Sequence, residues 1–218
     1  MLSIRLESLA RHINFNDHII DIGCDHALLD VYLVKNNVVK KMIVSDIHEN
    51  ALNTGKDNIQ KNNLSDRIEA RLGDGLSVLT DDDKIDTILI SGMGTSTILK
   101  ILDNPYLNKI DKLIIQSNND HYELRENITS RGFSIKAEDF LVDNNKHYIN
   151  IVFVRGNKKY SKKELKYGPV LIHNKNYLNF ELSNCQKIYN LIPRMKLRYR
   201  LKLKREMHLL KNTIKEND

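Results

Sequence analysis

Between residues 19 and 155 the chain sets a short apolar run ahead of a segment with helical spacing, and does so again and again. Apolar runs at Ile19–Ile22, 42–44, Ile68–Leu72, 85–90 and 112–116 predict five strands, and the stretches 27–36, 48–63, 95–102 and 122–130 predict the helices between them. Ile88-Leu89-Ile90 and Leu113-Ile114-Ile115 are apolar without alternation, the pattern of strands covered on both faces. Two last strands, 134–142 and 147–155, are joined by Asp143-Asn144-Asn145-Lys146, a good hairpin loop. The expected fold is therefore doubly wound α/β: a mainly parallel sheet with one antiparallel strand near its edge.

The rest of the chain is of a different kind. Residues 156–168 are basic and lack periodicity, as a linker does. Beyond Pro169, Leu171, Leu178, Leu182, Cys185, Tyr189 and Ile192 form a coiled-coil-like seam that breaks at 190–193. Met195, Tyr199, Leu203, Met207, Leu210 and Ile214 then recur every three or four residues, so an antiparallel helical hairpin is expected. The domains read as 1–156, a 157–169 linker and a 170–218 basic hairpin. Charge divides the same way. Residues 1–155 carry 18 basic against 23 acidic side chains, a net of −5, and residues 156–218 carry 16 against 5, a net of +11. A basic appendage on an acidic body points to a polyanion gripped by one part while chemistry proceeds on another. A solvated lysine-rich coiled coil and a dimerisation device are the plainer readings of the same stretch. No apolar run is long enough for a membrane helix, and no signal-peptide core is present at the N-terminus. Cys24 and Cys185 are far apart, match no metal spacing and read as reduced thiols of a cytoplasmic protein.

In an open parallel sheet the ligand sits beyond the carboxyl ends of the strands. Those ends read Asp21-Ile-Gly-Cys-Asp-His26, then Asp46-Ile47, Gly73-Asp74-Gly75, Ser91-Gly-Met-Gly94 and Gln116-Ser-Asn118. Gly23 lets a ligand approach the backbone closely. The first loop lacks the full G-x-G-x-x-G of a pyrophosphate site, having Cys24, Asp25 and His26 instead. Asp46, 25 positions after Asp21, stands near the spacing of an acid that takes ribose hydroxyls, and Asp74 is placed to accept from an adenine amino group. An adenosine bearing a carboxylate and an ammonium in place of phosphates satisfies the set: S-adenosyl-L-methionine. Candidate cofactor residues are Asp21, Gly23, Asp25, His26, Asp46, Ile47, Asp74, Gly75, Gly92 and Met93. No metal site is expected.

Asp21-Ile-Gly-Cys-Asp-His-Ala, Gly73-Asp-Gly-Leu, Ile90-Ser-Gly-Met-Gly and the opening Leu2-Ser-x-Arg5-Leu resemble the motifs of the bacterial tRNA adenine-22 N1-methyltransferases, the TrmK family. The order of a Rossmann-like domain and a C-terminal helical coiled coil resembles it too, over essentially the whole chain. Two positions depart from the family's commoner pattern. Leu28-Leu29-Asp30 stands where aromatic-Leu-Pro is usual, and Thr95 where a second glycine often follows Gly-Met-Gly. The resemblance implies transfer of a methyl group to N1 of an adenine in tRNA. Neutral N1 already carries a lone pair, so the site has to orient the base, reach it by flipping or local opening, and tolerate the cation that forms. Acceptors on the Ser91–Gly94 loop, with Asp25 and Asn118 as candidate catalytic groups, surround that edge. Substrate contacts are expected from Arg5, Gly94, Arg194, Lys196, Arg198, Arg200 and Lys202.

Plainer alternatives stand beside several of these. His26 either touches the methionine end or only shapes its loop; Arg5 either reaches the site or pairs with Glu7 on a solvated face. Cys24 reads as packing, not as a nucleophile. As rivals for function there remain a methyltransferase for a small molecule or protein, and a non-catalytic RNA-binding protein on a methyltransferase-like fold.

Overall fold

The computed structural model describes residues 2–217; Met1 and Asp218, the outer ends of the two expected domains, lie outside the described residues. Contacts divide the chain into two units, Met1–Lys159 and Tyr160–Asp218.

The first unit begins with α1 (Ile4–Ala10), whose N-cap Ser3 accepts a hydrogen bond from the Leu6 N–H. Then follow β1 (Ile19–Ile22), α2 (Leu28–Lys35), β2 (Met42–Asp46), α3 (Glu49–Lys61), β3 (Ile68–Leu72), β4 (Thr87–Met93), α4 (Thr95–Ile101), β5 (Lys112–Ser117), α5 (His121–Ser130), β6 (Phe133–Asp143) and β7 (Lys146–Arg155). They form one seven-stranded sheet of order β3-β2-β1-β4-β5-β7-β6. β1 to β5 are parallel, and β7 runs antiparallel to both β5 and β6, as the terminal hairpin requires. From β1 the chain steps outward through β2 and β3, then returns to the other side of β1 to lay down β4. The carboxyl ends of β1 and β4 thus flank the crevice at which such sheets bind ligands.

Register explains the burial. Val44, Asp21, Leu89, Ile114 and Val152 stand side by side across five strands. The apolar members of that row pack with Leu9, Leu29, Leu33 and Leu52 from the helices over them. Each buried Leu or Ile contributes ~1.5–3 kcal/mol, enough in sum to hold the single acid in the row out of water. Of the strands that run past their expected ends, β4 goes furthest: it continues to Met93 through a bulge at Ser91/Met93, with Gly92 at a φ of +80°. Glycine tolerates that conformation without steric cost, so the strand can bend its last residues toward the crevice.

The second unit holds α6 (Lys162–Tyr167), a short 3-10 turn at Leu171–His173, α7 (Lys175–Leu191) and α8 (Leu197–Glu216). The helix α6 corrects the expectation of a featureless linker over 157–169. A capping box between Ser161 and Glu164 starts it, and Tyr167 is buried with its hydroxyl donating to Glu206 Oε1 at 3.1 Å. Six residues are too few for periodicity to show. α7 and α8 run antiparallel. Asn217 Nδ2 donates to Ile172 O at 2.8 Å at one end, and Arg200 Nη1 donates to the Tyr189 and Ile192 carbonyls at 3.0 and 2.7 Å at the other. Their seam buries Leu178, Cys185, Leu203, Met207 and Leu210 as expected, and Tyr177 and Thr213 besides. Met195 and Tyr199, read as seam positions, are instead exposed, because α7 stops at Leu191 and leaves no opposing layer at the turn.

No helix among the described residues is long and apolar enough to cross a membrane.

Candidate active site

A cleft of about 730 Å³ opens where β1 and β4 diverge, large enough for a nucleoside-sized ligand. Its floor is the turn after β1. Gly23 N–H and Cys24 N–H both donate to Ser45 O, at 2.8 and 3.1 Å, which ties this turn to β2. Gly23 adopts a φ of +79°, and a Cβ there would lie 2.1 Å from Met93 Cε. All ten candidate cofactor residues line the cleft: Asp21, Gly23, Asp25, His26, Asp46, Ile47, Asp74, Gly75, Gly92 and Met93.

Three acids mark its length. Asp21 and Asp46 are buried, and Asp74 is exposed at the far rim. Both oxygens of Asp46 are already engaged by backbone: Oδ1 accepts from His48 N–H at 2.8 Å and Oδ2 from Asp25 N–H at 3.3 Å. A carboxylate oxygen has more than one lone-pair site, so the held group keeps acceptor capacity for a pair of hydroxyls. Asp25 and His26 sit at the open side, 3.6 Å apart and both exposed. The His26 carbonyl accepts from Asn58 Nδ2 at 2.9 Å, so His26 shapes its loop as well as lining the cleft.

The wall on the β4 side is organised by Gln116, a residue that the strand ends include but that was not among the candidate site residues. It is fully buried, and its Oε1 accepts from Arg5 Nη1 at 3.0 Å and from Gly92 N–H at 3.1 Å. Its Nε2 donates to Asn118 Oδ1 at 3.2 Å, while Asn118 Nδ2 donates to Gly92 O at 2.7 Å. Arg5 therefore reaches the cleft, and its guanidinium also lies over the Tyr148 ring at 5.5 Å. The expected site residue Asn118 clamps the bulge from outside, and Gly94 caps α4 just beyond it. Thr95, in place of a second glycine, is buried and donates through Oγ1 to Asn119 O at 2.7 Å, fastening the same loop to the end of β5. Ser91 of the Ser91–Gly94 loop also lines the cleft, and Thr97 and Lys100 join it unannounced by any motif.

Electrostatics under the floor are unusual. Burial raises the Asp21 carboxyl well above its ordinary range; Asp30 and Asp46 add to this, and Arg5 opposes it. Burial likewise pushes Asp30 up to about 7. The Cys24 thiol is raised by burial and by the same three acids, so it stays protonated at neutral pH and is no nucleophile.

The second unit places the other expected contacts at its hairpin turn. Arg194, Lys196, Arg198 and Lys202 are exposed. Arg200 differs from them, being stacked on the Tyr189 ring at 3.9 Å and bonded to the last carbonyls of α7. It closes the hairpin.

Comparison with known proteins is consistent over nearly the whole chain. A family model described as tRNA (adenine(22)-N(1))-methyltransferase, TrmK, matches residues 19–217. The tRNA (adenine(22)-N(1))-methyltransferase of Bacillus subtilis strain 168 is 30% identical over 204 residues, 88% of this chain and 85% of that one. Among solved structures, M. capricolum TrmK in complex with S-adenosyl-homocysteine superposes with a TM-score of 0.86 at 32% identity, covering 99% of this chain and 98% of that one. The B. subtilis m1A22 tRNA methyltransferase TrmK superposes with a TM-score of 0.82 at 28% identity, covering 98% and 99%.

Proposed function

Because the chain belongs to the tRNA (adenine(22)-N(1))-methyltransferase family, we propose that it methylates N1 of adenine 22 in tRNA with S-adenosyl-L-methionine, using the cleft between β1 and β4. The observation that carries this is the ordered set of acids, Asp21, Asp46 and Asp74, at the ends of three successive strands around one cleft. The donor set fits the cofactor. Asp21 lines the cleft at the end of β1, and a carboxylate there accepts from an ammonium group. Asp46 takes the ribose hydroxyls, Asp74 the adenine amino group, and the Gly23 turn admits the methionine part close to backbone. When bound, S-adenosyl-L-methionine supplies a methyl group made electrophilic by its sulfonium.

The chain's own task is positioning. Gln116 holds Arg5 and the Gly92 N–H in one network, so the β4 bulge presents a fixed edge to the incoming base. Asn118 and Asp25 border that edge, and their oxygens favour the positive charge that N1 acquires. No strong base is needed before attack. Arg194, Lys196, Arg198 and Lys202 grip tRNA phosphates, and the unit from Tyr160 onward is the RNA-binding part of a cytoplasmic enzyme.

Isothermal titration with S-adenosyl-L-methionine tests the cofactor assignment. Asp46→Ala is expected to weaken binding at least tenfold, and undiminished affinity sinks the assignment. Mass spectrometry of tRNA nucleosides after reaction tests the rest. N1-methyladenosine is the expected product, and its absence from intact tRNA returns the chain to the small-molecule or non-catalytic readings.

A further inference from the structure

Beneath the cleft lies a second carboxyl with no part in the scheme above. Asp30, on the first turn of α2, is fully buried, and Asp21 is 5% exposed. The two side chains lie within hydrogen-bonding reach of each other. Asp21 Oδ1 and both carboxyl oxygens of Asp30 are shut off from solvent, and none has a well-formed hydrogen bond from an N–H or O–H group; Asp30's own backbone N–H only leans on its carboxyl. Around them stand Val44, Leu89, Leu29 and Leu33. Two unscreened carboxylates cannot share an apolar pocket, since each is costly to bury and their repulsion goes unshielded. A proton between them turns the contact into a strong charge-assisted hydrogen bond and leaves one negative charge to be placed.

We propose that Asp30 is a positioning residue for the methyl donor: it shares a proton with Asp21 and so sets how much negative charge the cleft floor offers to the donor's ammonium group. The inference rests on the cleft being the S-adenosyl-L-methionine site. Asp30 itself does not line the cleft; Asp21 does, and transmits the effect. The charged and titratable groups bearing on the pair are Arg5 from α1, Asp46 from β2 and the Cys24 thiol from the turn. Arg5 favours an ionised Asp21; Asp46 disfavours it. In the empty cleft, burial and the neighbouring acids favour the protonated pair. Arrival of an ammonium stabilises the singly ionised pair, and the proton given up passes to solvent.

The test is titration calorimetry with S-adenosyl-L-methionine at pH 6 and 7.5, in buffers of different ionisation enthalpy, on the full chain and its Asp30→Asn variant. For the native chain, proton release is expected at pH 6 and fades by pH 7.5, and affinity rises roughly eightfold between the two. In D30N an amide replaces the shared proton and the Asp30 contribution to the raised Asp21 carboxyl is removed, leaving only burial and Asp46. Asp21 then ionises more readily, and both the release and the eightfold change shrink. The donor's α-amino group, titrating at ~7.7–8.0, acts in both proteins, so the difference between them isolates the pair. Asp30→Leu, which suits the apolar face of α2, serves where D30N folds poorly.

A second readout needs no ligand. Asp30 holds its proton more tightly in the folded chain than unfolded, so its contribution to stability is full below the ordinary carboxylate range and is lost as pH rises toward 7. Thermal unfolding from pH 5 to 7.5 is expected to show a larger loss in the native chain than in D30N, where Asp21 alone of the pair remains to titrate. Identical proton exchange and identical pH profiles in the two proteins overturn the inference. Failure of the native chain to bind the donor at any pH overturns the methyl-donor reading first, which is a distinct result.

Discussion

Replacing Gly23 by alanine sets a methyl group against Met93 Cε and holds it at a φ of +79°, two penalties of different origin. The left-handed backbone costs a non-glycine residue roughly 1–2 kcal/mol, whereas the methionine end is flexible and can swing away. Met93 lines the cleft, so its displaced end takes space from the proposed place of the donor's methionine part. G23A is therefore expected to unfold a few degrees lower while losing more than tenfold in S-adenosyl-L-methionine affinity, as calorimetry and thermal melts will show; unchanged affinity would mean the donor does not approach this turn. Glycine and acid at a strand end were legible in the sequence because sheet topology makes such ends functional before any contact is known. Gln116 and Asp30 were not read as site residues. Gln116 acts by joining α1 to β4, contacts set by no local spacing. Asp30 looks like an ordinary acid favouring a helix N-terminus, and only the register of Asp21 in an apolar row shows what it faces.

Asp74 and Gly75 lie on a connection between β3 and β4 that has little regular structure, so something must hold it. Arg71 does so, with Nη1 and Nη2 both 2.7 Å from the Asp83 carboxylate and Nη1 also donating to Val78 O at 3.0 Å. The Arg71 guanidinium keeps the Asp83 carboxyl well below its ordinary range. Depressed in the folded chain, that carboxyl contributes stability that is present above the unfolded value of about 4 and is lost as pH falls through the lower folded one. Asp83→Asn is expected to destabilise the chain by about 1–3 kcal/mol at pH 7, with the gap to the native protein closing only in strong acid. Its affinity for the donor is expected to drop several-fold through the adenine end. Denaturant melts at pH 7 and pH 2.5 check the first, and a constant gap at both would remove the ion pair from the explanation. Elements of this unit were legible because their apolar runs were continuous and their helices periodic. The bulge that carries β4 to Met93 depends on tertiary pairing with β5, and α6 is too short to announce itself.

Across the whole molecule, a net −3 over residues 1–159 and +9 over residues 160–218 suit the two units to different kinds of contact. An acidic cleft suits a cationic donor and repels phosphate, so under the proposed function affinity for tRNA comes largely from the basic unit. The exposed cations clustered at the hairpin turn are the proposed source of part of it, with Arg200 set apart because its guanidinium is committed to Tyr189 and the end of α7. Each phosphate contact releases condensed counterions and adds ~0.7–0.9 to the slope of log affinity against log salt. Replacing Arg194, Lys196, Arg198 and Lys202 together by glutamine is thus expected to flatten that slope by up to ~3 while leaving S-adenosyl-L-methionine affinity untouched. The loss in tRNA binding would then be largest at low salt and shrink as salt rises, which filter binding over a salt series resolves. Parallel lines for the two proteins would show that the hairpin turn makes no phosphate contact and that its charge serves another end, such as association with a second copy.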